Sequence, residues 1–442
     1  MSEKSKNIIV MECSCSYSLL DESDVELEKG EALVKLDEET LSVLPKMFGE
    51  SLFISFRDIL EIFTEDYKVF ILLTSREKLT IFDLGYKYED FIRILLRLRN
   101  ELILKDLLMQ ETLRKSGIKA NFVCFENKDN KNKKGICEIR LYETAFVIIP
   151  EDGELKRIPY SEILEIKDED YTLILLTESR AKWIFSEIGR DFDSLVNTLS
   201  QLVNELSLKV QSSLKELLPG ANPSIVRQAS RFMKEGRAAR RSDIESVSSE
   251  LWSELEKKVK STDIGEEYGF LESISWKDKI CIGLKRGLLG DLTGEYIWFL
   301  IPIYSTNPEE PGNAVAMEAI SEEGGGKATY FFRIMSRKDY LNCNKVEDLH
   351  CKVDSFIEDI NRCMLAINFR REPIYLSDEK LDDLKYQKYK FAIAKIPELQ
   401  NLRELFIGRV IHSSFEQWKK DVMDLLRFNV HSKEDNERWE KE

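Results

Sequence analysis

One segment of this sequence occurs twice, and this repetition constrains the fold more than any other feature. Residues 58–67 read DILEIFTEDY, and residues 162–171 read EILEIKDEDY, about 104 positions later. Identical residues outside this segment keep the same separation without a gap: Thr40 and Thr144, Gly49 and Gly153, Gly85 and Gly189, Asn100 and Asn204. Because the matches fall on predicted strands, turns and a helix alike, we predict that one domain has been duplicated.

Length and charge limit the number of domains and the kinds of partner that this chain can have. The chain has 442 residues, of which 43% are hydrophobic, and at roughly 150 residues per domain it suggests about three domains. A net charge of -15 repels nucleic acids and anionic membranes unless a local basic patch reverses it. No apolar run approaches the ~18 residues of a transmembrane helix, and the apolar run at 8–11 is too short for a signal peptide. We therefore expect a soluble, cytoplasmic protein.

In both copies, short apolar runs alternate with acidic turns, which predicts antiparallel strands. The first copy predicts strands at 32–36, 41–48, 51–56, 59–64, 68–74 and 78–83, and the second at 135–140, 145–150, 155–160, 163–167, 172–177 and 182–186. After Gly85 and Gly189 the apolar period changes from two towards four, which predicts one amphipathic helix at the end of each copy. Alternation with acidic residues predicts four core isoleucines: Ile59, Ile62, Ile163 and Ile166.

Six or seven antiparallel strands followed by a single helix resemble the pleckstrin-homology-like superfold. The resemblance covers residues 31–215 and implies an α+β fold with two β-sandwich or barrel modules, at 31–118 and 120–218, each closed by a C-terminal helix. Members that bind phosphoinositides carry Lys and Arg in the loop between the first two strands. That loop here carries Asp37, Glu38 and Glu39 in the first copy and Tyr142, Glu143 and Thr144 in the second. The resemblance therefore implies modules that bind peptides or proteins.

The other segments complete a predicted domain organisation. Residues 1–30 are polar and acidic, which predicts an N-terminal arm or an added edge strand. The lysine-rich stretch at 126–135 predicts a flexible linker. Residues 220–262 predict a basic helical linker, 268–430 an α+β domain and 431–442 a charged tail. In the α+β domain we predict strands at 280–284, 296–304, 314–320, 329–335, 389–396 and 406–411, and helices near 349–367 and 415–426.

Residues 225–241 form the only strongly basic region of this acidic chain. Asn222 and Pro223 predict the start of a helix, and spacings of four and three residues would place its cations on one face. The candidate contact residues are Arg227, Arg231, Lys234, Arg237, Arg240 and Arg241. The stripe would either hold acidic domains together or contact nucleic acid, anionic lipid or an acidic partner. Phe232 is the only aromatic residue among these cations, which argues against base stacking.

The sequence offers no catalytic constellation, cofactor motif or strong metal site. Its histidines are only His350, His412 and His431, and neither a histidine-based triad nor a His-rich metal centre is easily built from these three. The glycine triplet at 324–326 lacks the Lys-Ser/Thr of a phosphate loop and predicts a hairpin. Eight cysteines without a C-x-x-C motif predict reduced, mostly buried thiols. The nearest metal candidate, whose pattern equally fits a helix core, is the group Cys343, His350, Cys351 and Cys363.

Two functional hypotheses remain. The favoured one is a non-enzymatic cytoplasmic scaffold or adaptor that binds a protein partner through its tandem modules. The alternative is a binding module for nucleic acid or anionic lipid, centred on a basic helix at 225–241. An activity in the C-terminal domain stays open, as do the identity of the partner and the oligomeric state.

Overall fold

The structure, a computed structural model, describes residues 9–107, 111–125, 132–286, 295–307, 309–321, 328–343 and 345–431. The fold is α+β, as predicted: two seven-stranded antiparallel sheets, each followed by a long helix, precede a six-stranded sheet with helices. The chain divides into two compact units, one formed by residues up to 196 together with 377–395, the other by 197–376 together with the residues from 396 onward. Among the described residues, no helix is long and apolar enough to cross a bilayer.

The first module is a seven-stranded sheet followed by a helix. Its elements are β1 (Met11–Leu20), β2 (Glu26–Leu36), β3 (Thr40–Pro45), β4 (Leu52–Ser55), β5 (Ile59–Glu65), β6 (Lys68–Leu73), β7 (Lys78–Phe82) and α1 (Tyr88–Leu107). The strand order is β4-β3-β2-β1-β7-β6-β5. Phe91, Leu95 and Leu102 of α1 are buried in the core of this sheet, so the amphipathic helix covers it as the period change predicted.

β1 corrects the prediction for the N-terminal residues. It pairs with both β2 and β7 in the middle of the sheet, so residues 11–20 form neither an arm nor an edge strand. Its inward-facing side chains include Cys13, Cys15 and Tyr17, which alternate with serines. Two of these inward positions carry cysteine rather than a branched aliphatic residue. The alternation of apolar and polar side chains is therefore weak in the sequence, although the strand is regularly pleated.

The second module repeats the first. Its elements are β8 (Leu113–Phe125), β9 (Lys133–Tyr142), β10 (Ala145–Pro150), β11 (Lys156–Pro159), β12 (Ile163–Glu169), β13 (Thr172–Thr177), β14 (Lys182–Ser186) and α2 (Phe192–Leu217). The strand order, β11-β10-β9-β8-β14-β13-β12, matches that of the first sheet, which confirms a structural repeat. In the predicted linker, residues 126–131 lie outside the described residues, and Lys133 and Lys134 begin β9.

The repeated segment encodes a tight turn and an aromatic contact. Asp66 and Tyr67, between β5 and β6, both take left-handed conformations, with φ of 47° and 59°, as a two-residue hairpin turn that matches the strand twist requires. The ring of Tyr67 lies 5.4 Å from that of Tyr88 at the start of α1. The second copy reproduces the turn and the ring contact, at 5.6 Å, with Asp170, Tyr171 and Phe192.

The predicted core isoleucines differ in burial. Ile59 and Ile163 are buried, as predicted. Ile62 and Ile166, also predicted as core residues, are only partly buried, although Ile62 packs against the core of the first module. The pairing register shifts directly after the first isoleucine of each strand, and such a bulge interrupts the simple alternation on which the prediction depended.

The C-terminal region contains one sheet and most of the helices. Its elements are α3 (Pro223–Phe232), β15 (Ala239–Arg240), α4 (Arg241–Val247), α5 (Ser249–Lys260), α6 (Gly265–Ser273), β16 (Cys281–Arg286), β17 (Glu295–Ile303), β18 (Ala314–Ser321), β19 (Ala328–Arg333), α7 (Arg337–Leu341), α8 (Val346–Ala366), α9 (Glu372–Tyr375), α10 (Asp378–Leu381), α11 (Lys390–Lys395), α12 (Pro397–Leu405), β20 (Phe406–Ile411) and α13 (Phe415–His431). The strand order is β15-β16-β17-β18-β19-β20.

Most sequence predictions for the six-stranded sheet and its later helices are confirmed, and one strand prediction is wrong. Five of the predicted strands correspond to β16, β17, β18, β19 and β20, and the two helices to α8 and α13. Residues 389–396, predicted as a strand from their alternation, contain the helix α11 instead, which buries Phe391 and Ala392. The predicted hairpin at 324–326 and residues 432–442 of the predicted tail lie outside the described residues.

The six-stranded sheet has packing on two faces. Ile297, Phe299 and Ile301 of β17 belong to a core with side chains from α3, α5, α6 and α13. Trp298 points to the opposite face because neighbouring strand residues alternate. There the ring of Phe369, which follows α8, lies 5.2 Å from the Trp298 ring, and Asn361 of α8 exchanges two hydrogen bonds with the backbone of residue 238.

Candidate functional site

The basic segment 225–241 does not form the single helix that was predicted. α3 ends at Phe232, and Glu235 and Gly236 then take left-handed conformations with φ of 51° and 94°. A Cβ at Gly236 would lie 2.8 Å from the Cβ of Lys285, so glycine is required there for both conformation and space. The candidate cations are therefore distributed over a helix, a turn, a strand and a second helix, and the prediction of one continuous helical stripe was wrong.

Three of the six candidate cations contact acidic side chains of their own domain. The pairs are Arg237 with Glu358, Arg240 with Asp354 at 3.6 Å and Arg241 with Glu245 at 2.8 Å. The Arg241 guanidinium also lies 5.8 Å from the ring centroid of Trp252. These side chains are partly buried, and they tie the short elements after α3 to α5 and α8.

Arg227 and Arg231 differ from these three. Both are exposed on α3, one helical turn apart, next to the exposed Phe232. Within the described ranges, neither guanidinium has a carboxylate within 4.0 Å, and the same holds for the half-buried Lys234. Of the predicted contact surface, the exposed part is therefore the pair Arg227 and Arg231.

A second surface lies on the first module, and the sequence predictions missed it. Met47 and Phe48, in the turn between β3 and β4, and Phe53 on β4 are exposed: Met47 by 80%, Phe53 by 73% and Phe48 completely. We call these three residues the apolar hairpin. Aligning the repeat would have revealed it, since the same positions of the second module carry Glu151, Asp152 and Arg157. Residues 41–48 were instead assigned to one strand, which hid the turn.

The equivalent hairpin of the second module is occupied within its own unit. Asn100 of α1 donates a hydrogen bond to the carbonyl of Gly153 at 2.9 Å and accepts one from the Leu155 amide at 3.1 Å. Arg99 beside it, only 2% exposed, contacts the Glu154 carboxylate at 2.8 Å. This hairpin therefore docks on the helix of the first module, whereas the equivalent hairpin of the first module exposes its apolar side chains.

A segment from late in the chain completes this unit. Lys395 of α11 contacts Glu154 at 2.8 Å and the carbonyl of Leu60 at 3.0 Å. Phe391 is buried in the first module's core, with the Arg99 guanidinium 5.7 Å from its ring centroid. Burial opposes ionisation of Glu154, but the charges of Arg99 and Lys395 outweigh it, so the pKa of this carboxyl is lowered.

No protein-family model and no curated protein matches this chain. A functional assignment must therefore come from its own surfaces. The two external candidates are the apolar hairpin and the pair Arg227 and Arg231. They differ in chemistry, since the first offers apolar area and the second only charge.

His350 and His412 have polar partners, and most of the cysteines are buried. The His350 ring nitrogen Nδ1 lies 2.6 Å from the Tyr304 hydroxyl, and His412 Nε2 lies 3.1 Å from the fully buried carboxylate of Glu318. Six of the eight free cysteines are buried, in agreement with the prediction of mostly buried thiols. In the part of the chain that the structure describes, no three His, Cys, Asp or Glu side chains are grouped closely enough to hold a metal ion.

Proposed function

We propose that the protein is a non-enzymatic cytoplasmic adaptor that binds a protein partner through its tandem modules, with the apolar hairpin as the principal contact. The observation that carries the proposal is the exposure of Met47, Phe48 and Phe53 at positions that are charged in the second module. The order of strands and helix in each module supports the resemblance to pleckstrin-homology-like domains, which implies peptide or protein binding. Large apolar side chains grouped on a surface are typical of interaction sites.

The internal docking of the second hairpin supports the same proposal. In that copy, residues 153–155 already form a protein–protein contact with α1, so this part of the module is suited to binding another protein surface. The first copy has a hairpin at the same place in the strand order but presents the aromatic rings of Phe48 and Phe53 there. Burying such anchors supplies most of the free energy of many interfaces, and truncating a central one typically costs about 2 kcal/mol or more.

The charges around the apolar hairpin favour a protein over an anionic membrane. Glu28, Glu31 and Glu50 surround its base, with Lys46 paired to Glu31 at 3.1 Å. Acidic side chains next to the apolar tip would be repelled by anionic lipid headgroups. A partner with an apolar groove and a basic rim is complementary to this surface.

Site-specific photo-crosslinking tests the proposal. We expect a benzoylphenylalanine that replaces Phe48 to form a covalent adduct with a discrete protein in cells, and the same probe at Asp152 to form none. The adduct should disappear when Phe53→Glu is added, because the partner loses an anchor. Equal adducts from positions 48 and 152, or none from position 48, would contradict the proposed contact.

A second candidate function is anion binding by Arg227 and Arg231, favoured by their exposure and by the lack of a carboxylate partner among the described residues. Two phosphate contacts to duplex DNA would give a slope of about -1.8 for log affinity against log salt concentration. Arg227→Glu with Arg231→Glu should then abolish retention on DNA or on anionic vesicles while leaving the crosslink from position 48 unchanged. Binding that is insensitive to salt and to this double substitution would eliminate the candidate.

A further inference from the structure

A cavity of about 220 Å³ lies where the chain leaves α8, and its lining is rich in hydrogen-bond donors. The side chains used below come from β17, β19, the loop after α8, and α9: Tyr296, Tyr330, Asn368, Arg370, Arg371 and Tyr375. Glu372 is the single carboxylate among the lining residues. In a chain with net charge -15, such a lining is locally cationic.

Packing fixes the loop that carries the two arginines. Asn368 and Phe369 both take left-handed conformations, with φ of 48° and 59°, which residues other than glycine adopt only when their surroundings hold them. Phe369 packs edge-on against Trp298, and the ammonium of Lys285 lies 4.4 Å from the Phe369 ring centroid and contacts the Asn368 side-chain oxygen. The loop is therefore held against the sheet, and Arg370 and Arg371 follow it directly.

The two arginines are half-buried, and no carboxylate among the described residues pairs with either of them. Within the described ranges, neither Arg370 nor Arg371 has a carboxylate within 4.0 Å, although Glu372 lines the same cavity. The Arg371 guanidinium instead lies 5.6 Å from the ring centroid of Tyr330. Arg237, Arg240 and Arg241, in contrast, are paired with carboxylates. The guanidinium groups of Arg370 and Arg371 therefore have donors available beside the cavity.

We propose that this cavity binds a phosphate group, either as the free ion or as part of a small phosphate ester. Guanidinium groups donate paired hydrogen bonds to oxyanions, and tyrosine hydroxyls and an asparagine amide supply further donors. A tetrahedral anion with three or four acceptor oxygens uses such a set more fully than a carboxylate with two. The volume is below the roughly 300–1,000 Å³ of drug-sized ligand sites, which suits a compact group. The site is independent of the proposed protein contact.

Titration calorimetry at constant ionic strength tests the proposal, with inorganic phosphate, glycerol 3-phosphate and acetate as probes. The informative variant is Arg370→Gln with Arg371→Gln. The matched control is Arg97→Gln with Arg190→Gln, which removes the same charge from exposed residues outside the cavity lining. We expect saturable phosphate binding by the parent and the control, and at least about tenfold weaker binding by the cavity variant, because two charged donors are lost.

The probes distinguish the two phosphate sources. Binding of both phosphate probes supports a site for the free ion, and binding of glycerol 3-phosphate alone supports a site for an ester. Absence of saturable binding, acetate binding as tight as that of phosphate, or equal affinities of the two double variants would overturn the proposal. If the cavity variant melts at a lower temperature without ligand, Arg371→Lys replaces it. That change keeps the charge but removes the paired donors, and unchanged phosphate affinity would then count against the site.

Discussion

Arg57 of the first module and Ser161 of the second occupy the same position of the duplicated fold. Arg57, which is 9% exposed, makes two hydrogen bonds to Asp106 at the end of α1, at 2.7 and 3.1 Å, and one to Glu39 at 2.7 Å. The second module has serine and valine where the first has Arg57 and Asp106, and only the glutamate, Glu143, is kept. Since both copies build the same sheet, this buried ion cluster is not required by the fold.

The apolar pattern and the turns are what the two copies share. Gly85 and Gly189 have φ of 58° and 65°, and Arg76 and Arg180 have φ of 71° and 62°. These matched left-handed positions fix where each strand ends, and a buried residue such as Ile59 or Ile163 fixes which face is inward. Polar clusters were therefore added to, or lost from, one copy without altering the topology.

The largest expected effect comes from breaking the ion cluster. Arg57→Ala should lower the stability of the first module by about 3–5 kcal/mol, because Asp106 would stay buried without its counter-charge. Ser161→Ala, at the equivalent position, should change stability by about 1 kcal/mol or less. Hydrogen–deuterium exchange of peptides from β5 and β12 measures the two modules separately.

A double substitution sharpens this result. Arg57→Ser with Asp106→Val installs the residues of the second module and should recover much of the loss, because no unpaired charge stays buried. Faster exchange in the double variant than in Arg57→Ala would show that the first module depends on the cluster in a way that the second does not.

The β-bulges that follow Ile59 in β5 and Ile163 in β12 predict the next largest effect on stability. Ile59→Ala and Ile163→Ala should each cost about 2–5 kcal/mol, since both side chains are buried. Ile62→Ala and Ile166→Ala should cost about 1 kcal/mol, because these side chains are only partly buried. Chemical denaturation of the four variants checks this order, and equal costs along one strand would mean that the bulge does not alter burial.

The comparison also shows which features were predictable from sequence. The repeat, its turns and the helix after each sheet follow from local periodicity and from matched residues. β1 was predicted only as an arm or an added edge strand because two of its inward positions carry cysteines, and α11 was predicted as a strand because Tyr389 and Phe391 alternate with lysine and alanine. In both segments the apolar pattern alone did not distinguish the structure that forms.

The candidate sites were harder to predict because they depend on contacts between distant segments. The cavity combines Tyr296, Tyr330 and Arg371, which no local motif links. The arginines at 225–241 were assigned to one helix because nothing local indicated that Gly236 packs closely on Lys285. The apolar hairpin is the exception, since aligning the two copies position by position exposes it.

The docked hairpin predicts a smaller difference between the copies. Asn100→Ala should cost about 1–3 kcal/mol, because the partly buried carbonyl of Gly153 and the buried amide of Leu155 each lose a hydrogen bond. Asn204→Ala, the equivalent change on the exposed face of α2, should have an effect below about 0.5 kcal/mol. Urea denaturation compares them, and equal losses would show that Asn100 contributes no more than a helix surface residue.

The smallest expected effect is a pH dependence confined to the second module's hairpin. Glu154 has a lowered pKa in the folded protein because Arg99 and Lys395 outweigh the effect of its burial. A carboxyl of this kind stabilises the fold above its unfolded pKa, and this contribution disappears as the pH falls through the folded value. Glu154→Gln should therefore be less stable than the parent at pH 7, by about 1 kcal/mol or less after solvent screening, and the difference should shrink as the pH falls below about 4.5.

Glu50→Gln is the matched control, because Glu50 is the exposed equivalent in the first module and has no basic partner within 4.0 Å among the described residues. Melting temperatures of the three proteins between pH 3 and pH 7 measure this, and a constant gap between Glu154→Gln and the parent would show that the charge of Glu154 does not stabilise the docked hairpin.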